Sequence, residues 1–233
     1  MEYKFEWKNE EEGTISFLEQ NRLFLTAWVY ITGKEEAELR LQDVVSDEKS
    51  IERADIRKEI ICKMTECVLM SFRLLWEAGF EETVLVEPRG TKTAEILDST
   101  EVVRIVYKEY MMKRHIKPQK STDCGPISLK LTETEDVIIC KNNENSFFCK
   151  ILRYVGESSE EQTYYLYEVE VKKTKRNRGI ATACLSELFA WLAKDGPVTV
   201  LLQVGSYNEP AVHLYQKLGF AVSEELCYYA VEE

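Results

Sequence analysis

Between Val171 and Ala181 the chain reads Val-Lys-Lys-Thr-Lys-Arg-Asn-Arg-Gly-Ile-Ala, a run of positive charge in a protein of formal net charge -11. The residues before it, Tyr164 to Val171, read as a strand. The apolar positions after it, Leu185, Leu188, Phe189 and Leu192, recur at helical spacing. A strand that turns directly into a helix leaves unpaired N–H groups at the helix start. With the positive end of the helix dipole, those donors favour a phosphate or pyrophosphate, and Gly179 lets the backbone approach it. Lys172, Lys173, Lys175, Arg176 and Arg178 could also form a solvated loop or a nucleic-acid patch. Without interleaved aromatics, and with a strongly acidic remainder, a small anionic ligand ranks first, a surface loop second and nucleic acid last.

The elements that must position this junction are repeated. In the first pass, strands are expected at Tyr3 to Trp7, Thr14 to Glu19, Arg22 to Thr32 and Ala37 to Val45, followed by a helix from Ile51 to Ala78. A strand (Thr83 to Glu87), a helix (Thr93 to Ser99) and terminal strands within Val102 to Lys113 complete it. In the second pass, strands at Ile127 to Leu131, Val137 to Lys141, Ser146 to Val155 and Thr163 to Val171 precede a helix from Gly179 to Ala193. A strand (Val198 to Val204), a helix (Glu209 to Leu218) and final strands within Ala221 to Val231 follow. Pro118, Gly125 and Pro126 mark a linker at 118–126, which divides the chain into domains 1–117 and 127–233 with a break near residue 120. Repetition of a whole domain points to duplication, and the expected class is α+β, two domains each with a mixed, mostly antiparallel sheet flanked by helices.

With 233 residues, 45% hydrophobic and 30% charged, ordinary globular folding is expected. No uncharged run approaches the ~20 residues of a membrane span. The N-terminus has neither a basic start nor an apolar stretch, so no secretory signal and no membrane partner are expected. The seven cysteines include no Cys-x-x-Cys pair and no nearby His cluster, which argues against a disulfide framework and a metal site and fits reduced thiols in a cytoplasm. The acidic balance makes nucleic acid an unfavoured partner. Runs such as Glu10-Glu11-Glu12 and Ser158 to Glu161 read as solvated loop tips.

The second half resembles the GNAT superfamily of N-acetyltransferases. That family marks its acetyl-CoA pyrophosphate loop with Gln or Arg, two residues, Gly, one residue, then Gly or Ala; here the match is Arg176-Asn177-Arg178-Gly179-Ile180-Ala181, followed by Thr182. A second motif, Asn208 to Phe220, resembles Asn-x-x-Ala-x-x-Leu-Tyr-x-x-x-Gly-Phe, with Asn208, Ala211, Leu214, Tyr215, Gly219 and Phe220 in register. The two motifs stand in order with a strand between, and the resemblance covers Ile127 to Val231. Asn177 replaces a common glycine, and Asn tolerates left-handed backbone better than most residues. Ile127 and Val137 stand too close for the helices that usually separate the first two strands and help to form the substrate wall.

The resemblance implies acetyl-CoA as co-substrate and direct acetyl transfer to a primary amine, on a small molecule or a peptide. A bulge in the fourth strand would splay it from the fifth, with Val169, Glu170 and Val171 flanking the pantetheine arm. Tyr215 matches the family's general acid, and Asn208 its contact to the pantetheine; a plain packed helix residue is the alternative for Tyr215. Glu168 and Glu170, placed on one face by alternation, are the candidate bases, and a solvated acidic face accounts for either equally well. His213 reads as a solvent-facing helix residue. A non-catalytic acyl-CoA-binding or sensing module is the alternative function.

The first half lacks both motifs. Its helix opens with Glu52 to Arg57, without glycine and with Asp55 at the phosphate end, and Asp98 stands where Tyr215 stands. An ionised aspartate is a poor proton donor. The first half is therefore expected to be a degenerate copy that binds no CoA and supplies the missing substrate wall.

Overall fold

In the computed structural model, the described residues are 2–20, 22–42, 54–118, 129–154 and 162–231, with the backbone alone for 54–57. The chain divides into two compact units, Met1–Lys108 with Glu225–Glu233, and Glu109–Glu224. The duplication read from the sequence holds in element order.

In the first unit β1 (Glu2–Trp7), β2 (Glu12–Glu19), β3 (Arg22–Ile31) and β4 (Glu36–Gln42) form an antiparallel meander. β5 (Glu82–Pro88) lies parallel to β4, and a parallel neighbour needs a crossover, here α1 (Ala54–Glu77). Alternation puts Ile15 and Phe17 of β2 and Ala27 and Val29 of β3 on one buried face. Cys67, Val68, Phe72 and Leu75 of α1 join the same core at helical spacing. α2 (Lys92–Asp98) follows β5, with Thr91 capping the Ala94 N–H.

The second unit repeats the plan. β7 (Leu129–Glu133), β8 (Val137–Asn142), β9 (Phe147–Tyr154) and β10 (Gln162–Val171) are an antiparallel meander, and α3 (Ile180–Leu192) crosses to β11 (Val198–Gly205), parallel to β10. Cys184, Leu185, Leu188, Phe189 and Leu192 of α3 pack with Ile138, Cys149, Ile151, Leu166, Val200 and Leu202. α4 (Glu209–Lys217) follows β11. β7 and β8 are joined by a tight turn, Thr134 donating its N–H to the Val137 carbonyl at 2.8 Å, so the short spacing read between them does exclude helices. No helix among the described residues is long and apolar enough to cross a membrane.

The last strands differ from the sequence reading. Each pass ends in one long strand, β6 (Val103–Ile116) and β12 (Ala221–Val231), and the units do not part near residue 120. Residues 109–116 of β6 belong to the second unit, where they pair antiparallel with β11 from Glu109↔Gly205 to Ile116↔Val198. The first unit takes Leu226 to Tyr229 of β12 beside β5. Alternation along a strand tells which face is buried but not which strand lies beside it, so this pairing left no local signal. The proposed linker falls largely outside the described residues, as do the Ser158 to Glu161 run and Glu52 and Arg53.

Leu226, Cys227, Tyr228 and Tyr229 are all buried in the first unit, and a large apolar side chain contributes about 1.5–3 kcal/mol on burial. That sum rivals the ~5–15 kcal/mol net stability of a domain. A chain ending at Glu224 is therefore expected to lose the cooperative urea transition of the first unit, reported by fluorescence of Trp7, Trp28 and Trp76 with Trp191 replaced by Phe. An unchanged midpoint would refute the role given to β12.

Candidate functional site

The parallel ladder between β10 and β11 runs from Gln162↔Val198 to Leu166↔Leu202 and stops there, although both strands continue. An irregularity lies on the other edge of β10. Tyr167 opposes Lys150 and Glu170 opposes Phe148, so Glu168 and Val169 together face the single residue Cys149. This is a β-bulge, and Glu168 takes φ of 49°, a left-handed conformation uncommon for a non-glycine residue. The bulge shifts the core-facing parity: Tyr164 and Leu166 pack toward α3 before it, Val169 and Val171 after it. The split between β10 and β11 lies beside this bulge, and the bulge and the site expected for it from the resemblance coincide.

Beyond Val171 the chain makes one 3-10 turn at Lys173–Lys175 and enters α3. Arg176 Nε donates to the Val171 carbonyl at 3.0 Å, folding the loop back on the strand end. Asn177 and Gly179 both adopt positive φ, 60° and 73°. Asn177 thus takes the left-handed backbone expected of it, and Gly179 is the N-cap residue in a conformation that favours glycine. The first backbone bond into the helix is Ala183 N–H to the Gly179 carbonyl. The N–H groups of Asn177 to Thr182 donate to no backbone carbonyl among the described residues. These converging donors, with Lys175 and Arg176 beside them, form a cradle suited to a pyrophosphate.

Split and cradle share one cleft of about 380 Å³. It is lined by Val169, Val171, Arg176, Asn177, Gly179, Ile180, Ala181, Thr182, Asn208 and Tyr215, all of them expected from the sequence. Lys175 of the basic run and Ala211 and Leu214 of the second motif line it too, as does Pro210, which was not singled out. Ala211 and Leu214 precede Tyr215 by four residues and one, so the helical face of Tyr215 carried the signal for Ala211. Asn208 caps α4, its Oδ1 accepting from the Ala211 N–H at 3.4 Å, which leaves its amide NH2 for a ligand.

Tyr215 is 7% exposed, packed edge-on against Phe220. Burial, with a smaller contribution from Cys149, pushes its phenol up to about 12, so at neutral pH it stays protonated and able to donate. Glu168, Glu170 and Arg178 do not line the cleft with it. The Glu168 carboxylate accepts from Lys150 Nζ at 2.8 Å. Glu170 shares the face of Phe148 and Lys150, the residue that the Glu168 carboxylate engages. His213 is exposed, as read.

In the first unit the β4–β5 ladder likewise stops at Leu39↔Leu85 with both strands continuing, but no bulge stands beside it. The β3–β4 register runs from Thr26↔Gln42 to Ile31↔Ala37 without a shift. Thr91 and Asp98 match Asn208 and Tyr215 in order along their helices. The Asp98 carboxylate is engaged, accepting from the buried Tyr229 hydroxyl at 2.8 Å. Burial, followed by that bond, raises the Tyr229 phenol. The opening of α1 with Asp55 lies outside the described side chains.

Residues 122–220 match the model of the acetyltransferase (GNAT) family. A mycothiol acetyltransferase of Corynebacterium aurimucosum is 34% identical over 65 residues, which span 28% of this chain and 21% of that protein. Among solved structures, a GCN5-related N-acetyltransferase from Sphaerobacter thermophilus superposes with a TM-score of 0.64 at 13% identity, covering 96% of this chain and 81% of that one. A tandem GNAT protein from the clavulanic acid biosynthesis pathway gives 0.58 at 11% identity, covering 94% and 82%. At these identities the superpositions establish the fold: two GNAT-like domains, each a mixed sheet flanked by helices.

The raised Tyr215 phenol makes a prediction of its own. Its folded pKa exceeds the ordinary value of 10.0, so its contribution to stability is full below pH 10 and lost as pH rises toward 12. The wild type is expected to lose about 2–3 kcal/mol more than Tyr215→Phe in urea titrations across that window. Parallel losses in the two proteins would show that the phenol is not held neutral by burial.

Proposed function

We propose that this protein, whose residues 122–220 form a domain of the GNAT acetyltransferase family, transfers an acetyl group from acetyl-CoA to a primary amine by direct attack in its second unit. The observation that carries this reading is the convergence of the β10–β11 split, the N–H cradle before α3 and Tyr215 in one cleft. Acetyl-CoA would supply the activated acyl group and a thiolate leaving group. The N–H groups of Asn177 to Thr182, with Lys175 and Arg176, hold the pyrophosphate. The backbone of Val169 to Val171, unpaired on its β11 side, hydrogen-bonds the pantetheine arm, and the Asn208 amide orients it. A strand N–H at the split faces the developing oxyanion. Tyr215 gives its proton to the departing sulfur.

The second unit alone performs this chemistry in our reading. The β4–β5 ladder of the first unit also ends early, at Leu39↔Leu85, but its β3–β4 register carries no bulge, and Asp98, tied to Tyr229, is no proton donor. Free thiols at Cys140 and Cys149, cross-strand neighbours on β8 and β9, favour a reducing compartment such as the cytoplasm.

Thiol release from acetyl-CoA with a panel of primary amines tests the activity, and binding without turnover would leave a binding module instead. Tyr215→Phe is expected to lower kcat by about 100- to 1,000-fold with CoA affinity unchanged; retention of full rate removes Tyr215 as the acid. Calorimetric titration of the full chain should give one CoA per molecule. Two would show that the first unit binds as well.

A further inference from the structure

The acyl-transfer reading leaves the acceptor side without residues. Direct attack brings the amine to the thioester carbon from the side away from the leaving sulfur. Tyr215 lies on the α3–α4 side of the sheet, so the opposite face at the split is where an acceptor can approach. Three observations in the second unit converge there.

The first is register. Gln203 is the first β11 residue beyond the last β10–β11 pair, and Leu202 and Val204 on either side of it are buried toward the helices. Gln203 and Gly205 therefore share the opposite face. Cross-strand pairing puts Glu109 of β6 directly opposite Gly205 and on that same face. The second is a hydrogen bond: Gln203 Nε2 donates to Glu109 Oε2, fixing the carboxylate beside the mouth of the split. The third is a close approach. A Cβ added at Gly205 would stand 2.6 Å from Tyr207 Cε1, so the glycine makes room for the Tyr207 ring to lie over the strand. That ring is 79% exposed, an unusual placement for a tyrosine adjoining a cleft residue, Asn208. Tyr165, on the same face of β10, completes the surround, its phenol raised by burial and then by the Glu109 charge.

We propose that Glu109, held by Gln203 and flanked by the Tyr207 ring, is the acceptor subsite and takes a cationic primary amine. A carboxylate beside an exposed aromatic face matches an ammonium in charge and in cation–π geometry. This inference rests on the acyl-transfer reading for its chemistry and gives that reading its missing base. Glu109 accepts one proton from the bound ammonium, and the freed lone pair forms the C–N bond. Tyr215 protonates sulfur as the C–S bond breaks. The second nitrogen proton restores the phenol, and Glu109 releases its proton to water. The amide, free CoA thiol and one proton result.

The test uses the full chain, with 1,5-diaminopentane as the cationic probe and aniline, uncharged at neutral pH, as the control. Glu109→Gln is expected to lower kcat/KM for the diamine by about 100-fold with most of the loss in KM, to change aniline turnover far less, and to leave CoA affinity intact. Glu109→Asp should recover part of the loss. Tyr207→Ala should raise KM for the diamine with kcat little changed. Equal losses for both amines, or an unchanged kcat/KM for the diamine, overturns the assignment. Should the wild type acetylate no amine, the acyl-transfer reading fails, and calorimetry of the diamine on CoA-saturated protein decides the subsite by itself. Binding lost in Glu109→Gln supports it; binding that persists, or none to the wild type, overturns it.

Discussion

The bulge at Glu168 and Val169 is the constraint on which the site depends. A parallel ladder between β10 and β11 satisfies both backbones only while the strands stay adjacent, and it ends after Leu166, beside one extra residue on the far edge of β10. Left-handed backbone at a glutamate costs about 1–2 kcal/mol. The strain is offset locally: Val169 and Val171 pack against the core on one side, and Lys150 engages the Glu168 carboxylate on the other. The backbone groups exposed by the split would be a liability in a structural strand. Here they sit at the edge of a 380 Å³ cleft where a ligand can satisfy them.

Around that split, the chain sets a local charge against its global one. The molecule carries a net charge of -11, yet Lys172 to Arg178 contribute five cations over one turn of loop. Exposed cations are weak binders one by one. Their effect here comes from company, since the left-handed residues Asn177 and Gly179 aim successive N–H groups into the same cradle. Tyr215 stands at the other end of the cleft, where burial holds its proton, as the proposed role of a proton donor requires.

The two units show one scaffold with and without this equipment. The first keeps the meander, the crossover helix and a capped helix after β5, but its β4 follows β3 in unbroken register. Asp98 has been absorbed into the core through Tyr229, a residue from the far end of the chain. A position that could face a ligand in one unit is thus a structural hydrogen bond in the other.

The sequence by itself determined the element order, the buried helix faces and most of the residues that line the cleft. Those depend on short-range rules: helical and strand periods, the need for left-handed backbone at Gly179 and Asn177, and side chains at fixed offsets along α4. Tertiary structure alone decided what depends on pairing between distant segments. Residues 109–116 could be read as a strand, but not as the neighbour of β11, and residues 226–229 not as the neighbour of β5. The bulge was legible as a location through family resemblance, while the left-handed backbone it imposes on Glu168 was not. Glu109, Gln203 and Tyr207 carry no motif at all. They share one face because antiparallel register sets Glu109 across from Gly205, over which the Tyr207 ring lies, and a register is fixed by the whole ladder and not by any residue within it.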